Sequence, residues 1–557
     1  MLVILDDSVG RRVFAAPRAV IRADSADQVP GALKALEAAR GHWLAGSFAY
    51  ELGYALEPRL ARRTPAHGPL LQFGVYDAPT EAPPSGGRAY AGPLKPEWDE
   101  AAYTQRFAKV KEAIAAGDIY QANLSFRAGF AFAGSPRALY EQLRASSAAP
   151  HCAFVDDGVR QVVSLSPELF FEIENDEIRA RPMKGTSARG SGGARAKDDA
   201  AERAALGSSE KNRAENLMIV DLIRNDLGRI AQTGSVKVSD LYRIETYPSL
   251  HTMVSTVTAT LKPKLTIAQI VAALFPCGSI TGAPKIRAME ILHELESSRR
   301  GDYCGAIGFF APDGSAHFNV AIRTLSLDGN RGTLGIGGGV VQDSRAKDEY
   351  AECLLKARFF TGQRRPLTLI ETLRYDGYYV RLARHLSRMA GSARHFGIAF
   401  DEAAALEALE SAVGEGPLRV RLTLDEAGKF NATAAQLPPN PTHWTYTIAS
   451  DRLDSRDALL HHKTDWRDLY ERKHDGDEVI FLNTRGEVCE GARSNIFVRQ
   501  GHMLLTPPLS SGLLPGVLRA ELLHSGQCVE QVLTQDDLNG EVLFGNSLRG
   551  LIPARPL

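Results

Sequence analysis

Apolar and polar residues recur with two different periods along the chain, which predicts a mixture of helices and strands. Residues 212–227 carry an apolar stripe at helical spacing, formed by Leu217, Val220, Leu222 and Ile223. Residues 254–260 nearly alternate and are rich in Val and Thr, so they predict a strand. From residue 343 to residue 359 the spacing is helical again.

Glycine- and proline-rich stretches divide this pattern. Residues 83–87 predict a loop inside the first domain, and residues 187–193 predict a mobile lid or connector. The strongest boundary follows the helix that ends near residue 359 and precedes a strand-like start at residue 367. We therefore predict a first domain over residues 1–362, a linker over 363–366 and a second domain over 367–557.

Composition excludes several classes of function. The chain has 557 residues, 44% of them hydrophobic, and a formal net charge of −1. Lys and Arg are not pooled, so no capture of nucleic acid or of an anionic membrane is expected. The six cysteines form neither a disulfide framework nor a zinc spacing. The first apolar run is too short for a signal peptide, so we expect a cytoplasmic protein.

Glu168 follows Ser166 and Pro167 at the edge of a strand-like run with apolar neighbours. Such surroundings raise the pKa of a carboxyl group and suit a general acid. An ordinary solvated glutamate is the alternative, and the local sequence alone favours it.

Glu349 and Glu352 are three residues apart, and Lys356 is four residues further along the same predicted helix. With a third carboxylate, for which Glu215 is the candidate, they would suit Mg²⁺, which prefers oxygen ligands. An exposed, salt-bridged helix face is the commoner meaning of this spacing.

Gly337, Gly338 and Gly339 follow a strand-like run and would let an anion approach the backbone N–H groups closely. A tight turn is the alternative. Arg323 could bind a carboxylate with both arms of its guanidinium.

Taken together and in order, these runs resemble the chorismate-utilising enzymes, which include anthranilate, aminodeoxychorismate, isochorismate and salicylate synthases. The resemblance covers about residues 103–360, and it is loose over the first hundred residues. It is carried by residues 117–124, 166–170, 213–228, 278–285 and 303–308.

This resemblance implies a role for each candidate residue. Glu215, Glu349 and Glu352 would bind Mg²⁺, which grips the ring carboxylate of chorismate. The enolpyruvyl carboxylate would be held by Arg323, Tyr303 and the backbone of Gly337, Gly338 and Gly339. Lys356, His251 and Thr281 would line the pocket. Glu168 would protonate the departing C4 hydroxyl.

Lys184, in the run 182–186, distinguishes between members of the family. Anthranilate synthases carry Ala where Lys184 stands, whereas aminodeoxychorismate synthases carry Lys. There the amine attacks C2 while the C4 hydroxyl leaves, and ammonia then attacks C4 and expels the lysine from C2. Salicylate and isochorismate synthases place a Lys base at the position of Gln121, which argues against water as the nucleophile here. A salt-bridged surface lysine is the alternative for Lys184.

In the second domain, Lys463 lies beside His461 and His462, and by itself this is equally well a basic loop. Residues 513–519 open a helix whose first N–H groups could bind a phosphate. Residues 384–389 lie on an earlier helix that could supply a cation to the same phosphate.

From about residue 369 onward, the chain resembles the fold-type IV enzymes of pyridoxal 5′-phosphate (PLP). The run 487–498, between Lys463 and residues 513–519, also carries this resemblance. These include branched-chain and D-amino-acid aminotransferases and 4-amino-4-deoxychorismate lyase. Lys463 would form the Schiff base with PLP, and Glu490 would pair with the pyridinium nitrogen. The phosphate would be surrounded by Arg388, the Gly516, Val517 and Leu518 backbone, Asn546 and Ser547.

The chain departs from this second family at one point. Most of the segment that normally precedes the strand at residues 369–373 is missing. Either the first domain covers that surface or the fold tolerates the loss.

The two resemblances together imply an α+β fold, with a large chorismate-binding domain followed by a smaller, two-subdomain PLP domain. They imply synthesis of 4-aminobenzoate from chorismate for folate, with ammonia from a separate glutamine amidotransferase, because the chain shows no amidotransferase half. A homodimer through the PLP domain is one expectation. The alternatives are an anthranilate synthase fused to an aminotransferase and a non-catalytic binding protein on an enzyme scaffold.

Overall fold

A computed structural model describes residues 1–65, 67–147, 149–188, 196–246 and 250–557. The chain forms two units. The first consists of Met1–Pro84, Leu94–Phe130 and Tyr140–Gln363. The second consists of Ser85–Pro93, Ala131–Leu139 and Arg364–Leu557. Residues 189–193 of the predicted lid lie outside the described residues.

Twenty strands and ten α-helices are described before residue 364. The strands are β1 Leu2–Asp6, β2 Arg11–Phe14, β3 Ala19–Ala23, β4 Trp43–Phe48, β5 Leu71–Tyr76, β6 Ala89–Ala91, β7 Lys95–Pro96, β8 Gln121–Gly134, β9 His151–Asp156, β10 Arg160–Ser166, β11 Leu169–Glu174, β12 Glu177–Arg181, β13 Met183–Ala188, β14 Lys237–Thr246, β15 Leu250–Thr260, β16 Gly282–Ala283, β17 Ala306–Phe310, β18 Ala316–Val320, β19 Thr324–Asp328 and β20 Arg331–Val340. The helices are α1 Val29–Ala38, α2 Leu52–Leu56, α3 Glu100–Ala115, α4 Pro136–Ser146, α5 Ala196–Ser208, α6 Glu210–Gly228, α7 Ile267–Leu274, α8 Lys285–Leu295, α9 Ala346–Lys356 and α10 Arg358–Thr361.

Two large sheets build the first unit. One has the strand order β16-β8-β20-β19-β10-β9-β1-β2, and the other has the order β13-β15-β12-β11-β18-β17-β4-β5-β3, with β14 paired to β15. A cluster of buried residues that includes Val3 of β1, Phe14 of β2, Ala45 of β4 and Phe309 of β17 joins the two sheets. Glu168 lies at a crossing between the two sheets, where β10 of one sheet leads into β11 of the other.

Helices cover the second of these sheets. Helix α6 begins at Ser209, whose side chain accepts a hydrogen bond from the backbone N–H of Asn212, as an N-cap should. Its buried residues include Ile219, Val220 and Ile223, and they join one core with residues of α1 and α7. This burial holds α6, and Glu215 with it, at a fixed position against the sheet.

The second unit contains two smaller sheets. Its strands are β21 Leu369–Tyr375, β22 Leu418–Leu424, β23 Phe430–Gln436, β24 Trp444–Leu453, β25 Glu478–Asn483, β26 Val488–Gly491, β27 Asn495–Gln500, β28 Met503–Thr506, β29 Cys528–Glu530, β30 Glu541–Asn546 and β31 Gly550–Pro556. Its further helices are α11 Leu382–Phe396, α12 Glu402–Glu410 and α13 Val517–His524. The strand orders are β21-β22-β23 and β26-β25-β24-β31-β30-β27-β28-β29.

A short hairpin from the earlier part of the chain also belongs to the second unit. Strand β6 pairs with the last residues of β8, with Tyr90 opposite Ala133. Tyr90 and Ala133 are buried in one core with Leu369 and Phe396. The predicted loop at residues 83–87 is irregular, but from Ser85 onward it lies in this unit.

The predicted mixture of helices and strands is confirmed, and with it the α+β fold class. Three local details differ. Leu217 is 43% exposed, because α6 turns Ile219 into the core instead. Helix α9 begins at Ala346 rather than at residue 343. The glycine triplet at residues 337–339 continues β20 and forms no turn.

Each of the six cysteines is a buried free thiol. Among the described residues, no helix is both long enough and apolar enough to cross a membrane.

Candidate active sites

Lys184 lies in a bulge at the edge of the second sheet. The register between β13 and β15 shifts between Met183 and Thr186, and Gly185 inside the shift has φ +83°. A left-handed backbone of this kind favours glycine, and a bulge re-aims the neighbouring side chain. Gly185 therefore permits the bulge in which Lys184 lies.

The Lys184 amine meets the other sheet at the glycine end of β20. A Cβ atom built on Gly339 would lie 3.1 Å from Lys184 Nζ and 2.8 Å from Gln121 Nε2. One built on Gly337 would lie 2.6 Å from the Cβ of Ser125. The triplet is glycine because other groups approach it closely. Gln121 is fully buried, and neither of its amide atoms has a hydrogen-bond partner among the described residues.

Glu168 is 3% exposed, and its Oε1 has no hydrogen-bond partner in the described part of the chain. Burial raises its pKa to about 7, against the opposing effects of a Ser279 hydrogen bond and the Lys184 charge. The carboxyl group thus keeps a substantial protonated fraction at neutral pH and is mostly protonated below it, as a general acid requires. The solvated glutamate that its local sequence favoured does not occur.

Lys356 connects α9 with the glycine triplet. Its Nζ lies 3.0 Å from Glu352 Oε1 and donates to the Gly337 carbonyl at 3.0 Å. Burial opposes the charge on Lys356, but Glu352 outweighs it and raises the pKa of the amine. For Glu352, burial likewise works against ionisation, and Lys356, with Lys184 and Lys211, lowers its pKa. Three lysines therefore act on the same carboxylate.

Two of the three predicted metal ligands lie near Lys211. Lys211 Nζ is 4.0 Å from Glu215 Oε1 and 4.0 Å from Glu349 Oε1. Glu349 also accepts a 2.7 Å hydrogen bond from Ser344, and burial raises its pKa. Within the described ranges, no three Asp, Glu, His or Cys side chains are gathered as a metal cluster. The donor chemistry fits Mg²⁺, whereas the ammonium of Lys211 is shared by two of the carboxylates.

Arg323 is a candidate for binding a carboxylate of the substrate. It lies just before β19 with φ 51°, a backbone region that residues other than glycine adopt rarely and mostly at functional sites. Its guanidinium has no side-chain partner among the described residues, and burial lowers its pKa. Tyr303 is also buried, and its ring closely approaches Gly335.

His251 and Thr281 are both buried, and protein groups already bind them. His251 Nε2 is 3.0 Å from Asp199 Oδ1, and its Nδ1 is 2.9 Å from Thr246 Oγ1. The Thr281 hydroxyl donates to the carbonyl of Gly278 at 3.1 Å. These contacts give both residues a structural part in the site.

The second unit contains a separate cluster around Lys463, which is half-buried. Burial and the charge of Arg388 lower the pKa of its amine to about 7. Its carbonyl accepts a 2.8 Å hydrogen bond from the Ile370 N–H, which ties the lysine segment to β21. An amine with a pKa of about 7 is partly neutral at pH 7, and in that form it can attack a carbonyl carbon.

Glu371 organises the predicted phosphate side. It accepts two hydrogen bonds from Arg388, at 2.8 and 2.7 Å, and its Oε2 lies 2.6 Å from His385 Nδ1. Burial would raise the pKa of Glu371, but Arg388 and His385 outweigh it and bring it to about 2. His385 Nε2 in turn lies 2.8 Å from Ser547 Oγ. One buried carboxylate thus orients two of the groups predicted to surround the phosphate.

The start of α13 supplies the other groups. Gly516 is its N-cap and makes no side-chain cap, so the N–H groups of Val517 and Leu518 are left for a ligand. Arg388 Nη1 donates to the Pro515 carbonyl at 3.1 Å, which puts the cation beside this helix end. Asn546 accepts hydrogen bonds from the next turn, Leu548 N at 3.1 Å among them.

Glu490 lies on β26 and is 6% exposed. Tyr470 donates to one of its oxygens at 2.7 Å, and the Leu514 N–H donates to the other at 3.0 Å. Burial raises its pKa to about 7 against these two hydrogen bonds. PLP requires an amine of lowered pKa, a carboxyl group for its ring nitrogen, and a cation and free helix N–H groups for its phosphate. The residues present fit this cofactor.

Several residues of these sites escaped the sequence patterns. They are Lys211, Ser344, Glu371, His385 and Tyr470. Glu371 and Arg388 carry opposite charges on consecutive elements, which is the one signal that could have paired them.

Comparison with known proteins gives the family. Residues 4–362 match the profile of the chorismate binding enzymes. The chain belongs to this family. Residues 368–557 match the profile of amino-transferase class IV, so the chain joins regions of two enzyme families.

Two relatives and one solved structure illustrate the likeness. Aminodeoxychorismate synthase component 1 of Escherichia coli (strain K12) is 43% identical over 250 residues, which are 45% of this chain and 54% of that protein. Aminodeoxychorismate synthase of Streptomyces griseus is 42% identical over 284 residues, 49% of this chain and 39% of that protein. Anthranilate synthase component I from Streptococcus pneumoniae TIGR4 is 25% identical with a TM-score of 0.52, covering 64% of this chain and 89% of that one. The chain spans about half the length, or less, of these two curated relatives.

Proposed function

We propose that the chain makes 4-aminobenzoate from chorismate in two steps, one in each unit. The observation that carries this proposal is the position of Lys184, whose amine meets Gln121 at Gly339 and whose charge acts on Glu168. A nucleophile and a general acid are thus held at one place, and the neutral amide of Gln121 offers no base to activate water.

In the first step the Lys184 amine attacks C2 of chorismate, and the C4–O bond breaks. The hydroxyl takes the proton of Glu168 and leaves as water. Ammonia then attacks C4, and the bond between C2 and the lysine nitrogen breaks. The sum is chorismate plus ammonia giving 4-amino-4-deoxychorismate plus water. The pKa of Glu168, about 7, supports its part as the acid.

Chorismate carries two carboxylates, and the first unit offers cations for both. Arg323, which has no side-chain partner among the described residues, would hold the enolpyruvyl carboxylate with the N–H groups of the glycine triplet. Glu215, Glu349 and Glu352 would hold Mg²⁺, which when bound neutralises the ring carboxylate. Magnesium would take the place of the Lys211 ammonium, which is 4.0 Å from two of these side chains.

In the second step the 4-amino-4-deoxychorismate loses pyruvate. PLP, when bound, supplies an electron sink for the C4 carbanion. Lys463 takes the C4 proton, which the low pKa of its amine, about 7, supports. Glu490 would hold a proton at the ring nitrogen of PLP, and Arg388, Ser547 and the start of α13 would hold its phosphate. The C3–O bond of the substrate then breaks, the enolpyruvyl group leaves as pyruvate, and the ring becomes aromatic.

Ammonia would come from a separate glutamine amidotransferase. The name of the Escherichia coli relative, component 1, supports a second component. The alternative activity is anthranilate synthesis, which the resemblance to the Streptococcus pneumoniae structure keeps in view. Lys184 favours the first assignment, because anthranilate formation needs no lysine nucleophile at C2.

The proposal is tested by the identity of the first product. The Lys463→Ala variant is incubated with chorismate, Mg²⁺ and an ammonium salt, and the products are separated by chromatography. We expect 4-amino-4-deoxychorismate to accumulate without release of pyruvate. Anthranilate with an equal amount of pyruvate would refute the assignment of the first unit.

A further inference from the structure

The second unit is completed by a hairpin that lies far earlier in the sequence. Ser85–Pro93 and Ala131–Leu139 belong to this unit, although both stretches fall inside residues 4–362, which match the chorismate binding enzymes. The class IV match begins only at residue 368. Part of the second unit is therefore formed by residues that precede the class IV match by more than 200 residues.

Tyr90 anchors this hairpin in the second unit. Its ring meets that of Phe396 edge-on at 5.0 Å and that of Trp466 at 6.1 Å. Its hydroxyl donates to Glu426 at 2.9 Å. The side chain is fully buried, so the hairpin is a fixed part of this core.

Arg88, next to this strand, contacts the lysine segment on both sides of Lys463. Its Nε donates to Asp457 Oδ2 at 2.7 Å, and its Nη1 donates to the Trp466 carbonyl at 2.9 Å. These two points lie six residues before and three residues after the lysine. Asp457 is 6% exposed and also caps the turn at Ala458–His461 through the Leu459 N–H at 3.0 Å.

The same arginine borders the space beside the predicted PLP partner. One small cavity is lined by Arg88, His462, Thr464, Tyr470 and Glu490, among other residues. His462 and Thr464 flank Lys463 directly. Arg88 therefore borders the same cavity as Glu490 and contacts the lysine segment at Asp457 and Trp466.

We propose that Arg88 is a positioning residue that holds the Lys463 segment in place for PLP. A planar guanidinium forms two directed hydrogen bonds with little loss of freedom, so it can fix two points of a loop at once. A reacting group must be held within a fraction of an ångström, and a segment fixed at both ends meets that demand. The inference rests on the proposed role of Lys463.

The test compares full-length Arg88→Gln and Arg88→Lys with a matched control. Arg472→Gln removes an exposed arginine of the same unit that pairs with Asp451 at 2.7 Å. Amide hydrogen exchange of residues 457–466 is measured without PLP, with β27 as an internal reference. The visible absorbance of bound PLP is then titrated with pH, and the kinetics of pyruvate release are measured.

For Arg88→Gln we expect amide exchange at residues 457–466 at least tenfold faster, with β27 unchanged. We also expect a shift of the absorbance titration by at least half a pH unit and a lower kcat at little change in KM. Arg88→Lys should give intermediate values, and Arg472→Gln should match the wild type. Wild-type behaviour of Arg88→Gln would overturn the proposal, and so would faster exchange throughout the unit, which marks a purely structural residue. If the wild type and Lys463→Ala have the same spectrum with PLP, the proposed role of Lys463 fails instead, and the inference falls with it.

Discussion

The Lys184 amine and the Gln121 amide both approach Gly339. A Cβ atom at residue 339 would lie 3.1 Å from Lys184 Nζ and 2.8 Å from Gln121 Nε2. Neither Gln121 amide atom has a hydrogen-bond partner among the described residues, although the side chain is fully buried. A buried polar group without a partner is costly, and a ligand that supplies the missing hydrogen bonds would recover that cost. The glycine at residue 339 keeps this space open.

Replacing Lys184 with Ala should abolish formation of 4-amino-4-deoxychorismate and divert residual turnover toward anthranilate. The reason is that the variant lacks the nucleophile at C2, while the other carboxylate-binding residues are unchanged. Products are quantified by chromatography after incubation with chorismate, Mg²⁺ and ammonium. Lys109→Ala, which removes an exposed lysine paired with Glu112, is the control. Amination at the wild-type rate in Lys184→Ala would disprove the covalent role.

Glu168→Gln should lower the rate of the first reaction by about 10²–10⁴-fold, the usual contribution of a general acid. In the wild type the acid form must be present, and the pKa of Glu168 is about 7. The rate should therefore be constant at low pH and fall as the pH rises through about 7. A pH–rate profile of kcat/KM, which reports the free enzyme, measures this decrease, and the glutamine variant should not show it. If both proteins show the same decrease in rate with rising pH, another group causes it.

Gly339→Ala should impair the first reaction without unfolding the protein, because the new methyl group would lie 2.8 Å from the Gln121 amide. The Lys184 amine at 3.1 Å is the far end of a flexible side chain and can move away from the lysine's working position. Gly129→Ala is the control, because Gly129 also lies within a strand, β8, and a Cβ atom there would have no neighbour within 4 Å. Activity and thermal unfolding are compared for both. Full activity of Gly339→Ala would mean that Lys184 and Gln121 do not act at this point.

Lys211→Met should tighten Mg²⁺ binding about two- to fivefold, since each exposed ion pair that the metal must break costs up to about 1 kcal/mol. Lys211 is within 4.0 Å of both Glu215 and Glu349. Calorimetric titration with Mg²⁺ measures the affinity directly. Lys347→Met removes an exposed lysine from α9 and should leave the affinity unchanged. Equal or weaker binding in Lys211→Met would show that this ammonium does not compete with the metal.

Incorporation of PLP should depend on pH through Lys463. Only the neutral amine attacks the cofactor, and its pKa is lowered to about 7. The rate should rise as the pH increases through about 7 and level off above it, as followed by visible absorbance. Lys463→Ala should show no such band. A rate that is still rising above pH 9 would indicate an amine with the ordinary pKa of 10.5.

The sequence predicted the elements and the residues that carry distinctive motifs. Glu168, Lys184, Lys463 and Glu490 are found by their neighbours in the chain, and the structure buries or half-buries each of them. The glycine triplet at residues 337–339 could not be resolved between a turn and a strand, because what decides it is the approach of Ser125 and Gln121 from another strand.

Residues that act through partners distant in the sequence were missed. Lys211 is 138 residues from Glu349, and Arg88 is 369 residues from Asp457. No local period reports such pairs, because the fold alone brings them together. Leu217 shows the converse, since its place in an apolar stripe did not ensure its burial.

The central claim, two successive reactions in one chain, is tested most directly by the whole conversion with and without PLP. The cofactor-free protein is incubated with chorismate, Mg²⁺ and ammonium, and 4-aminobenzoate and pyruvate are followed in time. With PLP we expect equal amounts of both, and without it 4-amino-4-deoxychorismate should accumulate and no pyruvate should form. Anthranilate as the product under both conditions would contradict the account.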